Sequence, residues 1–223
     1  MNKYVVIRTL QVALTLVLQA VLLFLSAGTV RWTWAWVFMA TGVFILFINC
    51  LVLPPEVIEE RAKKKKNVKK WDRILTGINI LPTILLYVVC GLDFRFGWTT
   101  GVSVVVNVSG LTIMFAGAML FTWGMVSNKF FSTMVRIQDE RDHSVATGGP
   151  YKYVRHPGYV GYMMMSAGTP LALGSYWALS FSGITFLIFI IRTRLEDETL
   201  KKELDGYSDY TRRVRYRLVP GLW

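Results

Sequence analysis

Four uninterrupted apolar blocks, Tyr4 to Ala27, Thr33 to Leu53, Ile74 to Gly91 and Val102 to Ser127, set the terms on which this chain can fold. Each is about 18 to 26 residues long, enough for a helix to cross roughly 30 Å of hydrocarbon. A backbone in hydrocarbon must satisfy its own hydrogen bonds, so only helices and closed barrels can span, and blocks of this length exclude a barrel. Two further blocks, Gly158 to Leu173 and Tyr176 to Ile191, are about 16 residues each and meet at Leu173-Gly174-Ser175. They read as a tight helical hairpin that spans barely or dips in. The expected class is an all-α integral membrane protein with four full transmembrane helices, a C-terminal helical hairpin and cytoplasmic amphipathic C-terminal helices. The first block is too long for a signal-peptide core and lacks a cleavage site, so it reads as a retained helix.

The positive charges orient these helices. Loop 54–73 carries eight Lys or Arg, segment 128–156 five, and the tail from Arg192 eight; Lys3 and Arg8 bring the total on one side to 23 of 25. The other connections hold Arg31 and Arg95. By the positive-inside rule, the loaded side and both termini are cytoplasmic. The net charge of +11 therefore describes a membrane surface, and a nucleic-acid partner is not expected. The run Lys63 to Lys70 either anchors to anionic headgroups or simply fixes topology.

The chain divides by character into a membrane base, residues 1–127, and a more complex part, residues 128–223. Loop 54–73 shows no apolar periodicity strong enough to insist on structure. Segment 128–157, in contrast, mixes aromatics, both charge signs and a Gly-Gly-Pro turn. The tail from Arg192 places Leu195, Thr199, Leu200 and Leu204 on one helical face, which predicts a surface helix ended by Gly206 and then a second short helix up to Pro220. Cys50 and Cys90 lie inside apolar blocks, and with two histidines in the chain neither a disulfide framework nor a metal site is suggested.

Two clusters of polar residues flank the hairpin. Pro157 disfavours αR geometry at His156, which places His156 near the N-cap of the following helix, and a helix N-terminus favours an anion. The same Arg155-His156-Pro157 step also suits a plain membrane-entry cap with tyrosines in the aromatic belt. Arg192 and Glu196 share a helix face at the end of the last apolar run. They could form an ordinary surface ion pair, or Arg192 could clamp the anionic head of an amphipathic substrate at the hydrocarbon boundary. Met163 to Met165 suit hairpin packing or an adaptable apolar groove.

The stretch His143 to Tyr162, followed by a short hairpin and the tail from Arg192, resembles the isoprenylcysteine carboxyl methyltransferase family. That family is grouped with phospholipid N-methyltransferases as integral membrane enzymes using S-adenosyl-L-methionine. The resemblance covers about residues 128 to 220, and the first four helices match only in kind. It implies a cofactor pocket at His143, Ser144, Val145, Ala146, Tyr151, His156, Pro157, Gly158 and Tyr159. Arg136 stands where the eukaryotic enzymes have a polar cofactor contact, and its role stays open. Arg192 would contact substrate and Glu196 the cofactor, both with catalytic roles, while Asp197 replaces a second glutamate. The implied partner is a lipophilic small-molecule or lipid acceptor in membrane lipid, bearing a carboxylate or, in the runner-up reading, a phospholipid headgroup amine. A transporter or lipid-binding scaffold is the reading from outside the enzyme class.

Overall fold

The structure is a computed structural model that describes residues 3–63 and 65–223. Eight α-helices are present among the described residues: α1 Lys3–Ala27, α2 Thr33–Val52, α3 Pro55–Ala62, α4 Lys70–Phe96, α5 Val104–Val126, α6 Pro157–Leu173, α7 Leu179–Glu203 and α8 Tyr207–Arg213. The four long apolar blocks become α1, α2, α4 and α5, each long and apolar enough to cross a membrane. Their flanks are apolar outward as well: Leu14 and Leu25 of α1 are 69% and 76% exposed, a surface that water would penalise and lipid accepts.

Three boundaries differ from the sequence reading. Helix α4 begins at Lys70 and ends at Phe96, where Gly97 takes a left-handed conformation (φ 64°) and its N–H caps the Asp93 carbonyl. Helix α7 does not stop at Ile191; it runs unbroken from the apolar Leu179 into the charged Glu203. No glycine or proline interrupts Arg192 to Glu203, so the helix continues out of the apolar layer, and the separate surface helix expected there is the second half of α7. The short helix after Gly206 is α8. Loop 54–73 is also not structureless. Pro54 and Pro55 start α3, whose Val57, Ile58 and Glu60 are buried.

Helices α5 and α6 touch backbone to backbone. Gly110 and Gly117 of α5 face Gly161 and Gly168 of α6, each pair seven residues apart. A Cβ on Gly117 would lie 2.6 Å from the Gly161 carbonyl oxygen, and one on Gly168 would lie 2.5 Å from the Met114 amide nitrogen. Such small-residue faces let van der Waals packing hold helices together where no hydrophobic drive operates. This face crosses the expected boundary at 127/128, so that boundary marks a change of sequence character within one packed unit. At the end away from the basic loop, buried Asp93 accepts from the Thr99 amide (2.6 Å), the Thr99 hydroxyl (2.7 Å) and the Ser175 hydroxyl, which ties α4 to the α6–α7 turn.

Gly117→Ala should therefore force α5 and α6 apart and cost about 1–3 kcal/mol. Gly183→Ala on the exposed side of α7, where a Cβ meets nothing within 4 Å, should be neutral. Thermal unfolding midpoints in detergent test this, and equal midpoints for the two variants would refute the packing assignment.

Candidate functional site

At the basic end, a pocket opens between segment 128–146, the start of α6, the charged half of α7 and the tail. Helix α6 starts as the proline dictates: His156 is the N-cap (φ −127°, ψ 60°) and Pro157 the first helical residue. The tail pairs with this step through backbone hydrogen bonds, Arg155 N–H to the Tyr216 carbonyl and His156 N–H to the Arg217 carbonyl, both 3.0 Å. Sequence pattern gave no sign of this two-residue ladder.

The pocket brings together Arg136, His143, Ser144, Val145, Ala146, Tyr151, His156, Gly158, Tyr159, Arg192 and Glu196. Pro157 is the exception among the expected residues. It is fully buried and does not line the pocket; its ring sets the backbone that presents His156. Gly158 is needed for space, since a Cβ there would come within 2.7 Å of the Phe131 ring.

Arg192 and Glu196 share a face as expected, yet they are not each other's partners. Arg192 Nε donates to Asp72 Oδ1 at 2.6 Å and Nη2 to Asp72 Oδ2 at 3.3 Å, with a further bond to the Thr133 carbonyl. Asp72 is 0% exposed and also accepts the Val135 N–H at 2.7 Å. The expected surface ion pair is thus a buried bridge from the first turn of α4 to the middle of α7. The Arg192 guanidinium lies 5.0 Å from the Tyr159 ring centroid, and the Tyr159 hydroxyl donates to Glu196. His156 stacks on Tyr159 with centroids 5.5 Å apart. Its Nδ1 is 3.7 Å from Glu196 and its Nε2 is 3.7 Å from Asp197; Nε2 is buried without a hydrogen bond.

Asp197, whose role the sequence left open, is the knot of the tail. It is 0% exposed and takes Arg155 Nη2 (3.1 Å), the Tyr207 hydroxyl (3.0 Å) and Arg217 Nε (3.2 Å). The shorter acid fits because its partners close around the helix itself. Arg136 is likewise a strut: Nη2 meets Glu60 at 3.0 Å and Nη1 meets Glu140 at 2.7 Å. Lys69 Nζ meets Glu203 at 2.6 Å, so part of the basic run expected at headgroups is engaged with protein. Glu60, Asp72, Tyr207 and Tyr210 were all missed by sequence reasoning. The signal available was an acid, Asp72, set among cations just before an apolar block, and a Tyr207–Tyr210 repeat at helical spacing.

His143 Nδ1 accepts the Gln138 N–H at 3.3 Å, so the neutral ring carries its proton on Nε2. Burial, reinforced by Arg136, lowers its pKa to about 4. Burial also pushes the Tyr151 phenol up, so it stays neutral; its hydroxyl accepts from Asn128, and the Tyr210 hydroxyl donates to its carbonyl.

An all-helical integral membrane protein with a polar, aromatic-walled pocket at its basic end is the class that fold and site define. The comparisons place it further. Residues 109–202 match the isoprenylcysteine carboxyl methyltransferase (ICMT) family, so the resemblance drawn from the motifs stands and extends into α5. The chain is 34% identical over 113 residues to a protein-S-isoprenylcysteine O-methyltransferase of Schizosaccharomyces pombe, covering 49% of this chain and 48% of that protein. It is 30% identical over 108 residues to protein-S-isoprenylcysteine O-methyltransferase B of Arabidopsis thaliana, covering 47% and 55%. The matches thus span about half the length of these curated relatives. The solved structure of a eukaryotic intramembrane Ras methyltransferase, ICMT, superposes with a TM-score of 0.56 over 100% of this chain and 79% of that one, at 19% identity. It shares the fold.

Two predictions follow from the buried charges. Asp72→Ala strands Arg192 and should destabilise the protein by about 3–5 kcal/mol, and adding Arg192→Met should recover part of that loss; a double variant no better than the single one would refute the bridge. For His143, the folded pKa lies below the usual value of about 6.5, so the unfolded chain binds more protons in the window between. Stability should fall as pH drops from about 6.5 to 4, and His143→Gln should flatten that slope in thermal midpoints measured across the window.

Proposed function

We propose that the chain is an S-adenosyl-L-methionine-dependent methyltransferase acting on the carboxylate of a prenylcysteine-like or related isoprenoid or lipid acceptor. The observation that carries this reading is the convergence, in one pocket, of the His143–Ala146 stretch with Tyr151, His156, Gly158, Tyr159 and Glu196. The donor set fits the cofactor. Glu196 and the Tyr159 ring suit a sulfonium cation, and the start of α6 turns its positive dipole end toward an amino-acid carboxylate. His156 lines the pocket beside them, with its Nδ1 3.7 Å from Glu196.

When bound, the cofactor supplies an electrophilic methyl group on sulfur, and displacement by a carboxylate oxygen forms a C–O bond as the C–S bond breaks, with the electron pair left on sulfur. No base is required. That favours a carboxylate over an amine acceptor, because Glu196, the base an amine would want, is already engaged by the Tyr159 hydroxyl. The protein's task is alignment and exclusion of water. Arg192, held by Asp72, acts as a positioning residue that sets Tyr159 and, through it, Glu196. The charge asymmetry supports a cytoplasmic pocket and cytoplasmic termini, on the side where a soluble cofactor is supplied.

Calorimetry on purified protein should show cofactor binding, and His156→Ala should weaken it about 5- to 150-fold, the scale of one lost polar contact. Membranes incubated with methyl-labelled cofactor should yield labelled lipid whose label is released by base as a volatile product. Absence of cofactor binding would sink the reading in favour of a scaffold, and base-stable label would point to N-methylation.

A further inference from the structure

Single hydrogen bonds between polar side chains tie the apolar helices to one another. Gln19 donates to the Tyr87 hydroxyl at 2.8 Å (α1 to α4), Thr122 to Asn49 at 2.8 Å (α5 to α2) and Asn107 to the Ala172 carbonyl at 3.1 Å (α5 to α6). A further one runs from Asn79 Nδ2 of α4 to the Tyr162 hydroxyl of α6, also 3.1 Å. Interhelical bonds of this kind add little to stability, since the unfolded chain in lipid finds other partners. A polar side chain such as Asn79, 8% exposed within an apolar span, is nonetheless costly to bury. What sets the Asn79 bond apart is where it leads.

Tyr162 stacks on Phe189 of α7, with ring centroids 4.6 Å apart and planes at 23°. Phe189 in turn meets the Tyr159 ring edge-on at 5.1 Å. The Arg192 guanidinium lies 5.0 Å from the Tyr159 centroid and 5.6 Å from that of Phe189. The three rings and the guanidinium thus form one column from the pocket wall into the apolar layer, and α4 holds both ends of it. Asp72 holds Arg192. Asn79, about two helical turns further along the same face of α4, holds Tyr162. Ring packing tolerates a range of offsets and tilts, so Phe189, which has no polar handle, takes its place from the rings on either side. A hydrogen bond is directional, and the Asn79 bond gives Tyr162 a single orientation.

Neither Asn79 nor Tyr162 lines the pocket. We infer that both are positioning residues for methyl transfer: their hydrogen bond fixes Phe189, Phe189 fixes the Tyr159 ring, and the Tyr159 hydroxyl aims the carboxylate of Glu196. The consequence for catalysis rests on the methyltransferase reading; the placement of Tyr159 does not. The other groups proposed to hold the cofactor, the His143–Ala146 stretch and Tyr151, stand outside this column. A slackened column should therefore cost alignment of the reacting atoms far more than cofactor affinity.

The test uses the full chain in phosphatidylcholine nanodiscs with S-adenosyl-L-methionine and N-acetyl-S-farnesyl-cysteine. Asn79→Leu and Tyr162→Phe should each lower kcat about ten- to hundredfold, the scale of a small misplacement at the reacting centre. Cofactor Kd should stay within about threefold of the parent, which also reports a retained fold. The double variant should lose no more than either single one, since both remove the same bond. Ser175→Ala breaks a bond from α4 to the far end of the hairpin; it should lower the thermal midpoint and leave kcat unchanged. A parent-like kcat in Asn79→Leu and Tyr162→Phe, additive losses in the double variant, or an equal loss in Ser175→Ala would overturn the assignment. The fluorine resonance of a fluorotyrosine in place of Tyr159 reads the column without turnover. It should shift or broaden in Asn79→Leu and Tyr162→Phe and stay put in Ser175→Ala. If the parent transfers no methyl group, a moved resonance upholds the column while removing the methyltransferase reading, and an unmoved one overturns the column whatever the activity.

Discussion

The buried bridge between Asp72 and Arg192 is the contact on which the basic end of the molecule depends. It joins residues 120 positions apart, and Asp72 is wholly removed from solvent. Such a pair gains little over an apolar pair of the same size, but it is costly to break. Its value here is geometric. Asp72 also accepts the Val135 N–H, and Arg192 donates to the Thr133 carbonyl, so a single ion pair sets the first turn of α4, the middle of α7 and the pocket-lining segment between α5 and α6 in one arrangement. Arg192 in turn lies against Tyr159, and Tyr159 holds Glu196.

A second, independent knot completes the wall. Asp197 lies one residue from Glu196, on the adjoining face of α7, and gathers Arg155, Tyr207 and Arg217. Neighbouring acids on one helix thus serve opposite ends: Glu196 lines the pocket, while Asp197 anchors the tail that covers it. The backbone ladder from Arg155 and His156 to the tail explains why the polar complexity of the chain is concentrated in one connection and one terminus. Each is the other's hydrogen-bonding partner.

How much of this the sequence carries depends on the range of the interaction. Apolar block length is a local quantity fixed by the thickness of hydrocarbon, and it placed α1, α2, α4 and α5 to within a few residues. The His156-Pro157 step is local too, and the N-cap follows from one ring's sterics. The continuity of α7 was readable in principle, because Arg192 to Glu203 contains no helix breaker; the change from apolar to charged residues is a change of solvent, with the backbone unaltered. By contrast, the partners of Arg192 and Arg136 lie in loop 54–73, whose charge composition resembles any solvated surface. Burial of Glu60 and Asp72 is decided by what packs over them, and no periodicity reports that.

The same reasoning separates the cations of the basic end by what they can do. An arginine whose charge is met by a buried carboxylate is a structural element: its energy is spent in the folded state, and a ligand that took its place would leave the acid unpaired. An arginine left against aromatic rings at the head of an apolar cavity retains its capacity for an anion. At the end of the hairpin, the charge of Arg192 is met in this way by Asp72. Arg61, in a helix that composition alone would assign to a surface loop, is met by the Phe121 and Phe131 rings. The Phe121 and Phe131 rings, in edge contact at 5.2 Å, lie between the polar, aromatic-walled pocket and a largely apolar one whose lining includes Arg8 and Arg61.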